Sequence, residues 1–132
     1  MKRLLLIGFI LCSVAVHSQN TDGHIKIGIA KAVQQDYKGA IEDFTKEIKL
    51  HPENFKAYCY RAYAKEGLLD YKGALLDYDK AITLQPQNAE LYNERALAKY
   101  SSGDKKNACL DWKKAVDLGL QGASNMLKQY CK

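Results

Sequence analysis

The cysteines and histidines are the side chains of this sequence best suited to metal binding or nucleophilic catalysis, but their spacing favours neither. The chain has four cysteines and three histidines in 132 residues. It contains no Cys-x-x-Cys pair, no His-x-x-x-His spacing, no Gly-rich phosphate loop and no Gly-x-Ser-x-Gly elbow. We therefore predict no metal site and no cofactor.

Acidic pairs are the remaining candidates for acid–base chemistry. Glu42 lies beside Asp43, and Asp77 lies two positions before Asp79. On a helix, residues one or two positions apart do not face each other, so neither pair forms a catalytic dyad by itself. We predict that the chain is not an enzyme. The alternative hypothesis is an envelope protein with an unrecognised catalytic or small-ligand site.

Residues 1–18 have the pattern of a secretory signal peptide. Two basic residues precede an apolar run over 4–16, and the small Ser18 follows. This run is shorter than the roughly 20 apolar residues that span a bilayer, which favours a cleaved signal over the alternative of an uncleaved anchor. We predict cleavage after Ser18 and export of residues 19–132, so that the protein is periplasmic or secreted, with a bacterial envelope as the expected setting.

The charges of the exported segment are interspersed. Two of the 20 basic residues lie in the signal segment, which leaves 18 against 15 acidic residues. No basic block there is longer than two residues, so we predict no nucleic-acid partner. The exported segment also has no second long apolar stretch, so we predict no membrane span in the mature chain.

The sequence repeats itself every 34 residues. The stretch Asp-Tyr-Lys-Gly-Ala at 36–40 recurs at 70–74, and a weaker copy follows at 104–108. Over 32 aligned positions the first two units share 12 identities, and the second and third share 13. This period is typical of helical repeat proteins. We place the units at about 21–54, 55–88 and 89–120.

Each unit is expected to form two helices. In the middle unit we place them over 55–68 and 71–84, where Ala74, Tyr78 and Ala81 recur at helical spacing. Prolines stop the preceding helix at two unit boundaries. Side-chain oxygens able to cap a helix start occur at Asp36, Asn54, Asp70, Asn88 and Asp104.

The repeat resembles the tetratricopeptide repeat, whose pattern places aromatic, small and proline residues at fixed positions. The second unit carries the pattern at Tyr58, Arg61, Ala62, Ala74, Tyr78, Ala81 and Pro86. The third carries it at Tyr92, Arg95, Ala96, Ala108, Trp112 and Ala115. The resemblance implies an all-α fold, a right-handed α-solenoid of three tetratricopeptide-type helical hairpins plus a C-terminal capping helix at about 121–130. It also implies a protein–protein interaction scaffold that binds a protein or peptide partner in its concave groove.

The first unit departs from this pattern. His24 replaces the aromatic residue, and Glu47 replaces the second alanine. We interpret both departures as suited to a terminal unit with one side facing solvent.

Charged residues also recur at the repeat period. Asp43, Asp77 and Asp111 precede the aromatic residue of each second helix, while Arg61 and Arg95 hold one position in the first helices. We predict that these residues form the same ion pair in each unit and so fix the helix register. The alternative is an arginine clamp for an anionic ligand.

Cys109 and Cys131 are the predicted disulfide pair. Two antiparallel helices that meet at a turn near Leu120 bring together residues at equal distances from that turn, and these cysteines satisfy this condition. Export would permit the bond, and Cys59 would remain a small packing residue. The alternative is three reduced cysteines, because helical rotation can point the two apart.

The concave side is expected to be lined by the first helix of each unit. Tyrosines there have no packing duty in the repeat pattern, and amphipathic rings suit a helical or extended peptide. The alternative is that these rings only fill a narrow groove. The predicted groove residues are Ile25, Ile29, Tyr60, Tyr63, Asn93, Glu94, Leu97 and Tyr100.

One activity of similar proteins is not supported. Some tetratricopeptide domains hold the C-terminal carboxylate of chaperones with groove lysines, asparagines and an arginine. The equivalent positions here are Ile25, Ile29, Tyr60, Glu90 and Glu94. Apolar, aromatic and acidic side chains do not hold a carboxylate.

Overall fold

The computed structural model describes residues 23–132. The predicted signal segment and its cleavage site after Ser18 therefore lie outside the described residues. Within 23–132 the chain forms seven α-helices. They are α1 (23–33), α2 (Tyr37–Leu50), α3 (Phe55–Gly67), α4 (Tyr71–Leu84), α5 (Ala89–Ser101), α6 (Lys105–Asp117) and α7 (Gly122–Tyr130). No helix in this part of the chain is both long and apolar enough to cross a membrane.

The helices pack in chain order. The hairpins are α1 with α2, α3 with α4, and α5 with α6, and α7 packs on α6. Each hairpin also packs on the next through α2 with α3 and α4 with α5. The predicted all-α solenoid of three hairpins with a C-terminal helix is confirmed. In the middle unit the predicted helix bounds agree with α3 and α4 to within one residue.

The helix starts follow the predicted caps with one exception. A carboxylate oxygen of Asp36, Asp70 and Asp104 accepts a hydrogen bond from the backbone N–H three residues later, at 2.9–3.2 Å. Asn88 accepts one from the N–H of Glu90 at 3.2 Å. The prediction for Asn54 is wrong, because its side chain makes no cap hydrogen bond.

Asn54 and the buried Glu47 are instead partners. The Asn54 amide donates a hydrogen bond of 3.0 Å to Glu47 Oε1. Glu47 is fully buried, so the prediction that this departure faces solvent is wrong. The physical reason is that α2 is internal, since its far side packs on α3 of the next hairpin.

The core is built from small residues and one aromatic ring per hairpin. Phe44, Tyr78 and Trp112 occupy equivalent places in α2, α4 and α6, and all three are buried. Alanines let neighbouring helices approach closely, and the ring fills the space between them. The alanines with no exposed surface are Ala40, Ala57, Ala62, Ala64, Ala74, Ala81, Ala96, Ala98, Ala108 and Ala115.

The helix α7 closes the last hairpin. Gly119 has a φ of +100°, a left-handed conformation that ends the hairpin and turns the chain back. Ala123 is then buried against Trp112 and its neighbours. A disulfide joins α6 to the end of α7 through Cys109 and Cys131, whose Cα atoms are 5.8 Å apart. This is the pair that the antiparallel geometry predicts.

Candidate functional site: the concave groove

The recurring arginine–aspartate pairs set the position of the groove helices. Arg61 of α3 donates two hydrogen bonds to Asp77 of α4, Nε to Oδ2 at 2.8 Å and Nη2 to Oδ1 at 2.6 Å. Lys65 adds a contact of 2.9 Å to the same carboxylate. Asp77 is buried, so this pair is screened little by solvent.

The third unit repeats this arrangement. Arg95 donates to Asp111 at 2.8 and 2.7 Å, and Lys99 contacts the same carboxylate at 2.8 Å. Arg95 also reaches back to Asp79 of the preceding hairpin at 2.8 Å. The prediction of a repeated ion pair is confirmed. Because these carboxylates already bind the guanidinium groups and raise their pKa, the arginine clamp for an anionic ligand is not favoured.

The first unit forms a reduced version of the pair. Ile27 stands where the other units have arginine. Lys31, one turn later on α1, contacts Asp43 at 2.6 Å and supplies the positive charge instead. Each of the three buried aspartates that recur in the units therefore has a cation partner within the described residues.

A cavity of about 360 Å³ lies between the first helices of the three hairpins. Its volume lies within the range of binding pockets. Tyr60 and Tyr63 are 37% and 57% exposed, so the cavity has aromatic side chains available to a partner at its rim. We call this space the first cavity, and it is lined by Ile29, Ala32, Val33, Phe44, Cys59, Tyr60, Tyr63, Tyr78 and Glu94.

Two residues that line the first cavity, Tyr78 and Cys59, carry groups that could react in principle. The Tyr78 hydroxyl donates a hydrogen bond of 2.7 Å to Glu66 Oε1. Burial raises the pKa of the Glu66 carboxyl, and burial also raises the pKa of the Cys59 thiol to about 12. The Cys59 thiol is therefore protonated at neutral pH and a poor nucleophile.

Glu94 brings negative charge to the wall of the first cavity. Burial raises the pKa of its carboxyl, and the nearby carboxylates of Glu66 and Glu90 raise it further. Glu90 lies one turn earlier on α5 and faces a second cavity. This second cavity of about 270 Å³ lies between α5 and α7 and is lined by Glu90, Asn93, Leu97, Leu120, Gly122, Ala123 and Met126.

The structure divides the predicted groove residues into three sets. Ile29, Tyr60, Tyr63 and Glu94 line the first cavity. Asn93 and Leu97 line the second cavity. Ile25 and Tyr100 line neither cavity, so their place in the groove stays a prediction.

Ile25 and Tyr100 lie outside the cavities because the ends of the solenoid use them for packing. Ile25 packs against the Phe44 cluster under α1. The Tyr100 ring lies between Trp112 and Tyr130, with ring centres 5.7 and 4.8 Å away. Of the three predicted groove tyrosines, Tyr60 and Tyr63 therefore line the first cavity, whereas Tyr100 packs between rings.

Tyr60 and Tyr63 differ in how firmly they are held. The Tyr60 ring stacks on Phe44 at a centroid distance of 5.6 Å. Tyr63 is the more exposed ring of the two. Tyr63 is thus free to contact a partner without loss of core packing, whereas Tyr60 both packs and lines the cavity.

Sequence reasoning missed five residues that line the first cavity, and it missed Glu66, which binds Tyr78. The five are Ala32, Val33, Phe44, Cys59 and Tyr78. Glu66 follows Tyr63 by three positions, so the same helical spacing that grouped the tyrosines would have placed it on their face. Val33 is the last residue of α1 and is 79% exposed, which no repeat position indicates. Within residues 23–132, no group of three or more His, Cys, Asp or Glu side chains is arranged to hold a metal ion.

Comparison with known proteins is consistent with this architecture. Residues 70–103 match the family model described as TPR repeat. That stretch covers α4, α5 and the turns beside them. No curated protein matches the sequence.

Solved structures match over most of the chain. The first TPR of Spaghetti (RPAP3), bound to the HSP90 peptide SRMEEVD, is 24% identical, with 86% of this chain and 92% of that chain covered and a TM-score of 0.79. The Arabidopsis OM64 TPR domain is 26% identical, with coverage of 84% and 96% and a TM-score of 0.74. The second TPR domain of human RPAP3, in complex with the HSP70 peptide SGPTIEEVD, is 23% identical, with coverage of 87% and 98% and a TM-score of 0.78. The fold is therefore a helical solenoid of tetratricopeptide-type hairpins.

Proposed function

We propose that this chain is a protein-interaction scaffold that binds a segment of a partner protein in its concave groove. The first cavity is the observation that carries the proposal. It joins side chains from all three hairpins and presents the half-exposed rings of Tyr60 and Tyr63. Tyrosine is among the residues that most often dominate binding energy at interfaces. Structurally similar domains hold peptides, as the two RPAP3 complexes do.

We propose a binding role rather than a catalytic one. Neither candidate nucleophile of the first cavity is activated, because the Tyr78 hydroxyl is bonded to Glu66 and burial raises the pKa of the Cys59 thiol. Nucleophilic catalysis needs the opposite, a group with a lowered pKa or an adjacent base.

The charged residues that line the two cavities are glutamates, which also disfavours nucleic acid as a partner.

The tyrosines provide a direct test once a partner is in hand. We expect Tyr63→Ala to weaken partner binding by about tenfold or more, with little change in melting temperature, because the ring is largely exposed. Tyr100→Ala is the matched control. It should lower the melting temperature by several degrees and leave the affinity of the folded protein unchanged, since its ring packs on Trp112 and Tyr130.

The result for Tyr60→Ala should combine both effects, because this ring stacks on Phe44 and lines the cavity. If Tyr63→Ala leaves affinity intact, the first cavity is not the binding surface. Affinity would be measured by titration calorimetry and stability by thermal unfolding of the same preparations.

We also propose that the protein is exported and acts in the periplasm or outside the cell. The basic start and the apolar run of residues 1–18 support this, as does the Cys109–Cys131 bond, which persists in oxidising compartments. Cleavage after Ser18 should give a mature chain that begins at Gln19. Intact mass spectrometry of the protein from its own compartment checks this. A chain that retains Met1 in the membrane fraction would contradict it.

A further inference from the structure

The carboxylate of Glu94 in the first cavity differs from those of the three aspartates that recur in the second helices. Asp43, Asp77 and Asp111 each have a lysine or arginine within 2.9 Å. The groups that act on Glu94 are two further glutamates and the amide of Asn93. Among the described residues, the three aspartates between the helices therefore have a lysine or arginine partner, whereas Glu94 of the first cavity does not.

The charge of the groove is also opposite to that of the whole chain. The chain has 20 basic and 15 acidic residues. Yet the charged side chains that line the two cavities are Glu94 and Glu90, and the carboxylate of Glu66 on α3 acts on Glu94 as well. Residues four positions apart share a helix face, so Glu90 and Glu94 present their charge on the same side of α5.

Apolar surface lies directly beside this charge. Ile29 and Val33 of α1 and the two tyrosines of α3 form the part of the first cavity that faces Glu94 from the other hairpins. A partner that fills this space with an apolar side chain would bring its neighbouring residues to the carboxylate. Further burial of Glu94 would favour its neutral form unless a positive charge is paired with it, so a partner that places a cation there would be favoured over one that does not.

We infer that the partner segment presents a lysine or arginine to Glu94, next to an apolar side chain that fills the first cavity. This inference rests on the proposed function, because it names the chemistry of the partner for the same groove. It separates this groove from those of the RPAP3 complexes. The peptides held there, SRMEEVD and SGPTIEEVD, end in acidic residues, which Glu94 and Glu90 at the two cavities would repel.

A displayed library of random twelve-residue peptides, selected on the purified mature chain of residues 19–132, tests the inference. We expect the selected peptides to carry lysine or arginine one to four positions from a leucine, isoleucine, phenylalanine or methionine. The best binder would then be synthesised in three forms, with its cation kept, replaced by norleucine or replaced by glutamate. Loss of the cation should weaken binding by about tenfold, in keeping with a charge-assisted hydrogen bond, and glutamate should weaken it more.

Variants of the protein test whether Glu94 is the residue that binds the cation of the peptide. Glu94→Gln should weaken binding of the cationic peptide by about the same factor and leave the norleucine peptide unchanged, which a double-mutant cycle measures. The matched control is Glu42→Gln, an equal change of charge at an exposed position on α2 that lines neither cavity. It should change neither affinity.

The outcomes separate this inference from the proposed function. If selected peptides lose affinity on Tyr63→Ala but carry no preferred cation, the groove binds peptides and the inference is overturned. If they prefer acidic residues, the inference is likewise overturned. If no peptide is enriched, both the inference and the proposed function fail.

Discussion

Replacing Asp111 with alanine is expected to lower the free energy of unfolding by roughly 3–5 kcal/mol. This is the typical effect of removing one partner of a buried ion pair, because the remaining charge stays desolvated. Asp111 is 6% exposed and accepts hydrogen bonds from both Arg95 and Lys99. Equilibrium unfolding in urea, followed by far-ultraviolet circular dichroism, measures the change.

Asp79→Ala is the matched control for this prediction. It removes a carboxylate that binds the same Arg95 at 2.8 Å, but its side chain is 55% exposed. The expected loss is about 0–1 kcal/mol, as for other exposed pairs. Equal losses from the two variants would show that burial does not set the strength of these pairs, and the account of the helix register would be wrong.

Reduction of the Cys109–Cys131 bond is expected to lower the free energy of unfolding by about 3 kcal/mol on the chain-entropy model. The two cysteines are separated by 22 residues and tie α7 to α6. In a repeat protein each unit is stabilised by its neighbours, so the loss should be concentrated at the C-terminal end. Hydrogen exchange of the α7 amides should therefore rise first, before exchange in α3 and α4.

The double variant Cys109→Ser with Cys131→Ser is the control for this measurement. It should have the stability of the reduced protein and show no further response to reductant. Cys59 does not interfere, because its thiol has a pKa of about 12 and forms little thiolate at neutral pH. If the oxidised and reduced proteins unfold at the same urea concentration, the bond does not support the cap.

The repeat explains why much of the fold could be predicted. A period of 34 residues fixes which helices are adjacent, and the capping aspartates at 36, 70 and 104 fix where the second helices begin. The Arg61 and Asp77 pair follows from the same regularity, because two opposite charges repeated at one period meet at the same place in each unit. Regular features can be read from the pattern because each unit repeats the same contacts.

The features that the sequence did not predict lie where one unit differs from the others or where the repeat ends. Glu47 appeared to belong to an exposed end, but burial is decided by the next hairpin, which packs on α2. Tyr100 appeared to continue the tyrosine stripe, but the direction of α7 after Gly119 brings Tyr130 against its ring. The division of the groove into two cavities has the same origin, since α7 supplies one wall of the second.

The groove residues were predicted only in part. Helical spacing alone placed Tyr60, Tyr63 and Glu94 on the concave side, and these residues do line one cavity. Spacing does not show that Tyr60 stacks on Phe44, because this depends on the side-chain conformations of two different hairpin helices. The chemistry of the site therefore depends on contacts between helices, which the sequence pattern does not show.

Site-specific photocrosslinking in the protein's own compartment tests the central claim most directly. Tyr63 would be replaced with p-benzoyl-phenylalanine, and Leu76 would be replaced in the same way as a control. Leu76 is 64% exposed on α4 and lines neither cavity, so it matches Tyr63 in exposure but not in location. We predict that the Tyr63 position captures one defined partner protein and that the Leu76 position does not. Capture of the same proteins at both positions, or of a partner at Leu76 alone, would contradict a binding function of the concave groove.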